Sequence, residues 1–394
     1  MLSKVLTPTK NYLIPIVIVL LCSLGFGQSY AQEEFVSDEL IVKIRPGADD
    51  EAVEQDLEAD GSTVIERVPE LGVVVLQLPS DVPISSAEAV IAQDPDVEFV
   101  EKNYIVHADL TPNDPGYGNQ SQPQPPFFPN AGYINRIDAP QAWNNMTGDA
   151  DVIIAVLDTG VRSSHQDIGK LVPGCSTLGN FSETSCGSNT GDVDGHGSGV
   201  AGTAAALTNN GTGVAGVCWL CSVMPVKVLG DNGSGTSVDV VEGILYAVNY
   251  AIANPTKRVI INMSLGRSCS GGITTFEQNA INFAWNNNVL VVTSAGNSGS
   301  SSTQCPASAD NVIAVSATDI NDNLAGFSSF GIYVDLAAPG VSIYNIVGTG
   351  NSSYNFWSGT SFSSPMTAGV AGLIWSANPS LTNAQVDQIL RDTA

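Results

Sequence analysis

Three side chains, far apart in the chain, could together cleave an acyl bond. Ser361 lies in Ser358-Gly-Thr-Ser-Phe-Ser-Ser-Pro-Met366, between a Gly/Asn/Ser-rich loop (Gly348 to Asn355) and a run of small and apolar residues, Thr367 to Trp375. That context places it near the first turn of a helix buried on nearly every face. A serine there is either a helix cap or a nucleophile whose neighbouring N–H groups and helix dipole hold a developing oxyanion. The nucleophile needs a base that titrates near neutrality. The chain has three histidines, His107, His165 and His196. His196 lies in Asp194-Gly-His-Gly-Ser-Gly-Val-Ala-Gly202, at the start of a helix of small residues that can pack closely and hold an imidazole rigidly. Asp158, in Val156-Leu-Asp-Thr-Gly-Val161, is the best-placed carboxylate to orient the ring. The order Asp158, His196, Ser361, with spacings of 38 and 165 residues, is one of the convergent orders of a Ser-His-Asp triad.

The elements that would position these residues follow from the hydrophobic pattern. From residue 137 short apolar runs alternate with helical spacing. The strands expected are Val152 to Leu157, Ser222 to Leu229, Val259 to Met263, Val289 to Thr293 and Val312 to Val315. The helices expected are Gly197 to Ala206, Val238 to Ala253, Thr275 to Asn286, Thr360 to Ala377 and Thr382 to Arg391. Such alternation implies an α/β fold, a parallel sheet covered by helices on both faces. Ligands of such sheets bind just past the carboxyl ends of the strands. Asp158, Asn262, Ser264 and Asn297 all fall there, so one crevice is expected to hold them. Residues 35–107 read as a separate, small α+β unit with strands Glu39 to Ile44, Gly72 to Leu78 and Val97 to Val106, and helices Asp50 to Asp60 and Ser85 to Gln93.

The formal charge is −25, from 14 basic and 39 acidic residues, which argues against a nucleic-acid partner. Residues 32–108 carry 19 acids and 4 bases, a segment set apart from the weakly charged body. Residues 1–31 have the pattern of a signal peptide: Lys4 and Lys10, an apolar run from Leu13 to Phe26, and a small-residue site ending at Ala31. The run is short for a membrane span, so a secreted or periplasmic protein is expected, with no membrane attachment after cleavage. Six cysteines follow in the body, Cys175, Cys186, Cys218, Cys221, Cys269 and Cys305. Behind a secretory signal they read as disulfides. Sequence does not fix which of the fifteen pairings forms; proximity favours Cys175–Cys186, Cys218–Cys221 and Cys269–Cys305. Residues 109–136 are a linker and Pro-rich loop. Gly197-x-Gly199-x-x-Gly202 matches a dinucleotide fingerprint but lacks the strand that must precede it, so no organic cofactor is expected.

Four blocks taken together, Val-Leu-Asp-Thr-Gly-Val, Gly-His-Gly-Ser-Gly-Val-Ala-Gly-Thr, Ser-Ala-Gly-Asn-Ser-Gly and Ser-Gly-Thr-Ser-Phe-Ser-Ser-Pro, resemble the signature blocks of subtilisin-like serine proteases. The resemblance spans residues 35–394 and implies a secreted serine endopeptidase made as a zymogen. It implies that Asp158 orients His196, that His196 is general base and then acid, that Ser361 attacks, and that Asn297 and the Ser361 N–H form the oxyanion hole. Ser264-Leu265-Gly266 and Gly233-Ser234-Gly235 would clamp a peptide as an added strand. Residues 32–108 would be an inhibitory propeptide, cleaved near Ala108, and residues 137–394 the catalytic domain. Structural Ca²⁺ is implied at Asp114, Asp167 and Asn210 with the carbonyls of Thr208, Thr212 and Val214, oxygen ligands suited to a hard cation. Asp192 and Asp194 could form a second site or face water. The family often has a histidine where this chain has Gly199, and another where it has Met366; neither is a triad position. It usually continues for a short segment past Ala394, so an incomplete C-terminus is expected. A monomer acting on peptide and protein substrates is expected. The alternative is a catalytically silent, calcium-dependent binding module of the same fold. A serine hydrolase of another α/β type is disfavoured, because its Gly-x-Ser-x-Gly elbow is absent at these blocks.

Overall fold

A computed structural model of the chain describes residues 35–59, 61–105, 110–118, 132–179, 188–347 and 350–394. The expected signal peptide, His107, the cleavage point near Ala108, Cys186 and most of the Pro-rich loop lie outside the described residues. The chain divides into two compact units, residues 1–107 and 108–394.

The first unit is a four-stranded antiparallel sheet with two helices. Its elements are β1 (Phe35–Ile44), α1 (Asp50–Glu58), β2 (Thr63–Val68), β3 (Val73–Gln77), α2 (Ile84–Ile91) and β4 (Val97–Tyr104), with strand order β2-β3-β1-β4. Alternation along β1 puts Leu40, Val42 and Ile44 on one buried face, as a period of two requires. Val53 and Leu57 of α1, one turn apart, close over that face together with Ala87 and Ile91 of α2. The sequence reading omitted β2. It is an edge strand whose register shifts between Val64 and Glu66, and such a bulge breaks the alternation that would reveal it.

The second unit opens with two short helices, α3 (Tyr133–Arg136) and α4 (Ala139–Asn145). The sheet elements follow: β5 (Val152–Asp158), β6 (Cys175–Ser176), α5 (His196–Ala205), β7 (Ser222–Lys227), α6 (Ser237–Ala253), β8 (Arg258–Met263), β9 (Arg267–Ser268), α7 (Thr275–Asn286), β10 (Leu290–Ser294), β11 (Gln304–Cys305), β12 (Ile313–Thr318) and β13 (Leu336–Pro339). A hairpin, β14 (Ile343–Ile346) and β15 (Tyr354–Trp357), then leads into α8 (Thr360–Ala377) and α9 (Asn383–Thr393). Seven strands form one sheet in the order β13-β12-β10-β8-β5-β7-β6, and every pairing in it is parallel. Central strand β5 explains why such strands read as unbroken apolar runs. Its Ile153, Ala155 and Leu157 pack under α6 and α7, while Ile154 and Val156 pack under α5 and α8. The helices start where their caps dictate: Thr236 with Asp239 before α6, Thr274 with Glu277 before α7 and Thr382 with Gln385 before α9 are complete capping boxes. Disulfides join Cys218 to Cys221 and Cys269 to Cys305. No helix among the described residues is long and apolar enough to cross a membrane.

Candidate active site

The loops at the carboxyl ends of β5, β8 and β10 converge on the amino ends of α5 and α8. Asp158, the last residue of β5, is fully buried. Its main-chain carbonyl accepts from the N–H groups of Val228 and Leu229, which fixes the strand end. Its Oδ1 accepts from Thr159 N (2.7 Å) and from His196 Nδ1 (2.8 Å). An ionised carboxylate only accepts, so Nδ1 carries the hydrogen and Nε2 of the neutral ring is left as the base.

His196 is the first residue of α5, and that helix reaches Asp158 only because residue 197 is glycine. A Cβ there would lie 2.1 Å from the carbonyl oxygen of Gly160 and 3.1 Å from Cβ of Asp158. The ring sits edge-on to Trp357 (centroids 6.2 Å apart) and Phe362 (5.9 Å). Burial alone would lower its pKa. The charge of Asp158 and the hydrogen bond to it, with Asp194 and Asp192 adding to the field, reverse that and push it up to about 9.

Asp192 matters in a way the sequence did not reveal. Its Oδ1 accepts from Thr159 Oγ1 (2.9 Å) and Gly195 N (2.8 Å), and its Oδ2 from Ser198 N (2.8 Å) and Ser198 Oγ (2.6 Å). These four donors occupy a buried carboxylate and tie the first turn of α5 to the end of β5. It is neither an open cation ligand nor a residue facing water. Asp194 is exposed and accepts from His196 N at 3.1 Å. The signal that could have found Asp192 is its place four residues before His196, ahead of a helix start, where carboxylates favour free N–H groups.

Ser361 is the second residue of α8. Its Oγ donates to the carbonyl of Ser264 at 3.5 Å, and its main-chain carbonyl accepts from Ser264 Oγ at 2.8 Å. Asn262, near the end of β8, donates to Ser264 Oγ (3.0 Å) and accepts from Ser364 Oγ (2.7 Å), so the start of α8 is held on the sheet. Asn297 is oriented by donors that leave no choice of amide flip. Thr360 N and Thr360 Oγ1 both donate to its Oδ1, each at 2.9 Å, so the amide NH₂ is the free end. That Nδ2 and the N–H of Ser361 flank the same spot, 3.5 and 3.7 Å from where a Cβ on Gly359 would be. The Ser361 N–H has no acceptor among the described residues, as expected for an early helical residue.

The two glycine-containing segments, Gly233-Ser234-Gly235 and Ser264-Leu265-Gly266, line one cleft of about 500 Å³ together with His196 and Trp357. Leu229, Val240 and Ile244 give it an apolar side. The expected calcium ligands gather at another place in the same unit. Asp114 accepts from the N–H groups of Asn209 (2.7 Å) and Asn210 (3.3 Å). Asp167 accepts from Val214 N (2.7 Å) and Asn210 Nδ2 (3.1 Å). Thr208 Oγ1 accepts from Gly216 N, and Thr212 N donates to Asn210 Oδ1, so all six residues lie on or against the 208–214 loop. Both carboxylates are buried, and neither forms an ion pair among the described residues. Burial pushes the Asp167 carboxyl up to about 6, with the charge of Asp114 adding to it, and raises Asp114 as well. Two buried, uncompensated carboxylates among amide and hydroxyl oxygens fit a hard cation.

Comparison with known proteins matches this architecture along both units. Residues 149–394 match the Subtilase family, and residues 28–103 match the Fervidolysin N-terminal prodomain. A thermophilic serine proteinase of Bacillus sp. (strain AK1) is 38% identical over 371 residues, which cover 93% of this chain and 84% of that protein. Thermitase of Thermoactinomyces vulgaris is 42% identical over 264 residues, 66% of this chain and 88% of thermitase. Among solved structures, a protease of Pseudoalteromonas arctica superposes with a TM-score of 0.62 at 34% identity, covering 72% of this chain and 93% of its own.

Proposed function

The chain belongs to the subtilase family of serine proteases, and we propose that it is a secreted endopeptidase, made as a zymogen, that works through an acyl-enzyme on Ser361. What supports this reading is an Asn297 amide held outward by Thr360 beside the N–H of Ser361, and a His196 ring held by Asp158 and set edge-on to Phe362, the residue after Ser361. Rotation of the Ser361 hydroxyl away from Ser264 presents its proton to Nε2 of His196. As His196 takes the proton, Oγ attacks the scissile carbonyl, and the new oxyanion receives N–H donors from Asn297 and Ser361 that need no reorganisation. The imidazolium beside Asp158 then protonates the leaving amine. A water deprotonated by His196 repeats the sequence on the acyl-enzyme, and Ser361 is regenerated.

The two segments lining the cleft hold the peptide as an added strand, Gly233 to Gly235 on one side and Ser264 to Gly266 on the other. Residues 32–108 act as the inhibitory propeptide, in keeping with the prodomain match. Export is supported by relatives named extracellular protease and alkaline protease. Asp114, Asp167 and Asn210, with the carbonyls of Thr208, Thr212 and Val214, hold a Ca²⁺ whose charge offsets the two buried carboxylates.

The test is the intact mass of the secreted protein beside its Ser361→Ala variant, both prepared with calcium. The expected result is a wild type shortened by about 80 residues beyond the signal peptide and a variant that keeps its propeptide. Two full-length, folded proteins would refute self-processing. Equal cleavage of both would assign maturation to another protease and leave hydrolysis of a peptide anilide as the test of Ser361.

A further inference from the structure

One carboxylate in the cleft touches the residues that flank both of the segments assigned to the peptide, and the mechanism above does not use it. Glu277 is the third residue of α7 and is buried. Its Oε1 accepts from Ser237 Oγ at 2.9 Å. Ser237 begins α6, two residues after Gly235, and lines the cleft on that side. Its Oε2 accepts from Arg267 Nη2 at 2.6 Å, and Arg267 follows Gly266 on the other side. Thr274 Oγ1 also donates to Oε2, at 2.8 Å, through the cap of α7. Burial would by itself raise the pKa of this carboxyl; the hydrogen bonds from Thr274 and Ser237 and the charge of Arg267 hold it below the usual range. The Arg267 side chain remains partly exposed, while that of Glu277 does not.

Helix capping explains one of these contacts and leaves two unexplained. A capping box needs Thr274 and an acceptor at the third position, which a glutamine supplies equally well. It does not need Ser237 or Arg267, which come from two other segments. The Cys269–Cys305 disulfide and the β9–β11 pairing already fasten the outer side of the Arg267 segment. Glu277 is what fastens its inner side to the Gly233–Ser237 segment.

We propose that Glu277 is a positioning residue for the peptide: by gripping Ser237 and Arg267 with its two oxygens, it sets the separation of the cleft's two walls. A strand added between two walls needs them at hydrogen-bonding distance on both sides, so a loose wall weakens the binding of a long peptide. A short ester that does not reach along the walls is insensitive to their spacing. This inference rests on the endopeptidase reading above.

The experiment compares KM and kcat for a hexapeptide anilide and for a single-residue ester, in the mature enzyme and in Glu277→Gln, Arg267→Gln and the double variant. Glu277→Gln keeps the cap and removes the ion pair. The expected result is that the ratio of the hexapeptide KM to the ester KM rises about fivefold to tenfold in Glu277→Gln, the scale of one charge-assisted hydrogen bond. Arg267→Gln should raise it alike, and the double variant should do no worse than either single one. Should Glu277→Gln not fold, Arg267→Gln at the partly exposed end tests the same link. Equal changes for both substrates, or a lower Tm with an unaltered ratio, would overturn the proposal and leave Glu277 a structural residue. A wild type inert toward both substrates would refute the endopeptidase reading, and this inference with it.

Discussion

The ascending limb of the pH–rate profile should titrate near the pKa of His196, pushed up to about 9. Only the neutral ring can take the proton of Ser361. With that pKa, about one ring in a hundred is neutral at pH 7 and about half at pH 9, so kcat/KM should rise roughly fiftyfold between them. An unperturbed histidine would give a rise of about 1.3-fold over the same interval. The assay is kcat/KM for an uncharged peptide anilide at constant ionic strength, from about pH 6 to about pH 10. Asp158→Asn removes the largest of the effects that raise the pKa and leaves burial, which lowers it, opposed by the charges of Asp194 and Asp192, so the midpoint should fall well below that of the wild type while kcat falls by about ten-thousandfold, the cost of a lost tautomer in other triads. A wild-type profile that is flat above pH 8, or an Asp158→Asn enzyme with its midpoint in place, would refute the reasoning. Stability should run the opposite way. A histidine whose folded pKa exceeds its unfolded value stabilises fully below the unfolded value, 6.5, and loses that contribution as pH rises through about 9. The pair is worth about 3 kcal/mol on that shift. In a Ser361→Ala protein, which cannot digest itself, the urea midpoint should therefore fall over the interval in which the wild type gains activity.

Asn297→Ala should lower kcat about a hundred- to a thousandfold with little change in KM, a scale measured in a protease of this same family; Thr360→Val, which removes one of the two donors aligning the amide, should cost less, and equal losses would contradict that assignment of roles. Removing calcium with a chelator should lower Tm by roughly 5–10 °C if the ion is supplied at about a hundred times its Kd, and Asp167→Asn should make Tm insensitive to calcium; a chelator effect that survives in that variant would place the ion elsewhere.

The parallel sheet was legible because its central strands are buried on both faces. Val152 to Leu157 reads as an unbroken apolar run and Val259 to Met263 as one interrupted only by Asn262, and the observed β5 and β8 differ from them only at one end. The edges were not. β13 has four residues and ends on Pro339, and β6 has two; neither carries enough pattern to separate a strand from a loop. The β14–β15 hairpin, which brings Trp357 to His196, runs partly through Asn351 to Asn355, a stretch whose polar composition reads as loop. Composition reports what a segment buries, and an edge strand buries little.

Carboxylates mark the limit more sharply. Five acids of the second unit are buried among the described residues, Asp114, Asp158, Asp167, Asp192 and Glu277, and sequence gives each the same chemical type. Asp158 pairs one oxygen with Thr159 and His196 and keeps the other without a partner among the described residues, so its charge is available to the proposed imidazolium beside it. Asp192 spends both oxygens on four donors around one helix start, and so is a rigid anchor with no oxygen left open. Asp167 has N–H donors but forms no ion pair among the described residues, and burial raises its pKa, the condition under which a buried acid recruits a metal ion or a proton. Glu277 has Arg267, and its pKa falls. A block motif picks out the first of these because Asp158 and His196, though 38 residues apart, each sit inside a short block of recognisable pattern. The partners of Asp167 and Glu277 stand 43 residues and 40 residues away in Asn210 and Ser237, so what each acid does is decided by the sheet that brings those partners to it.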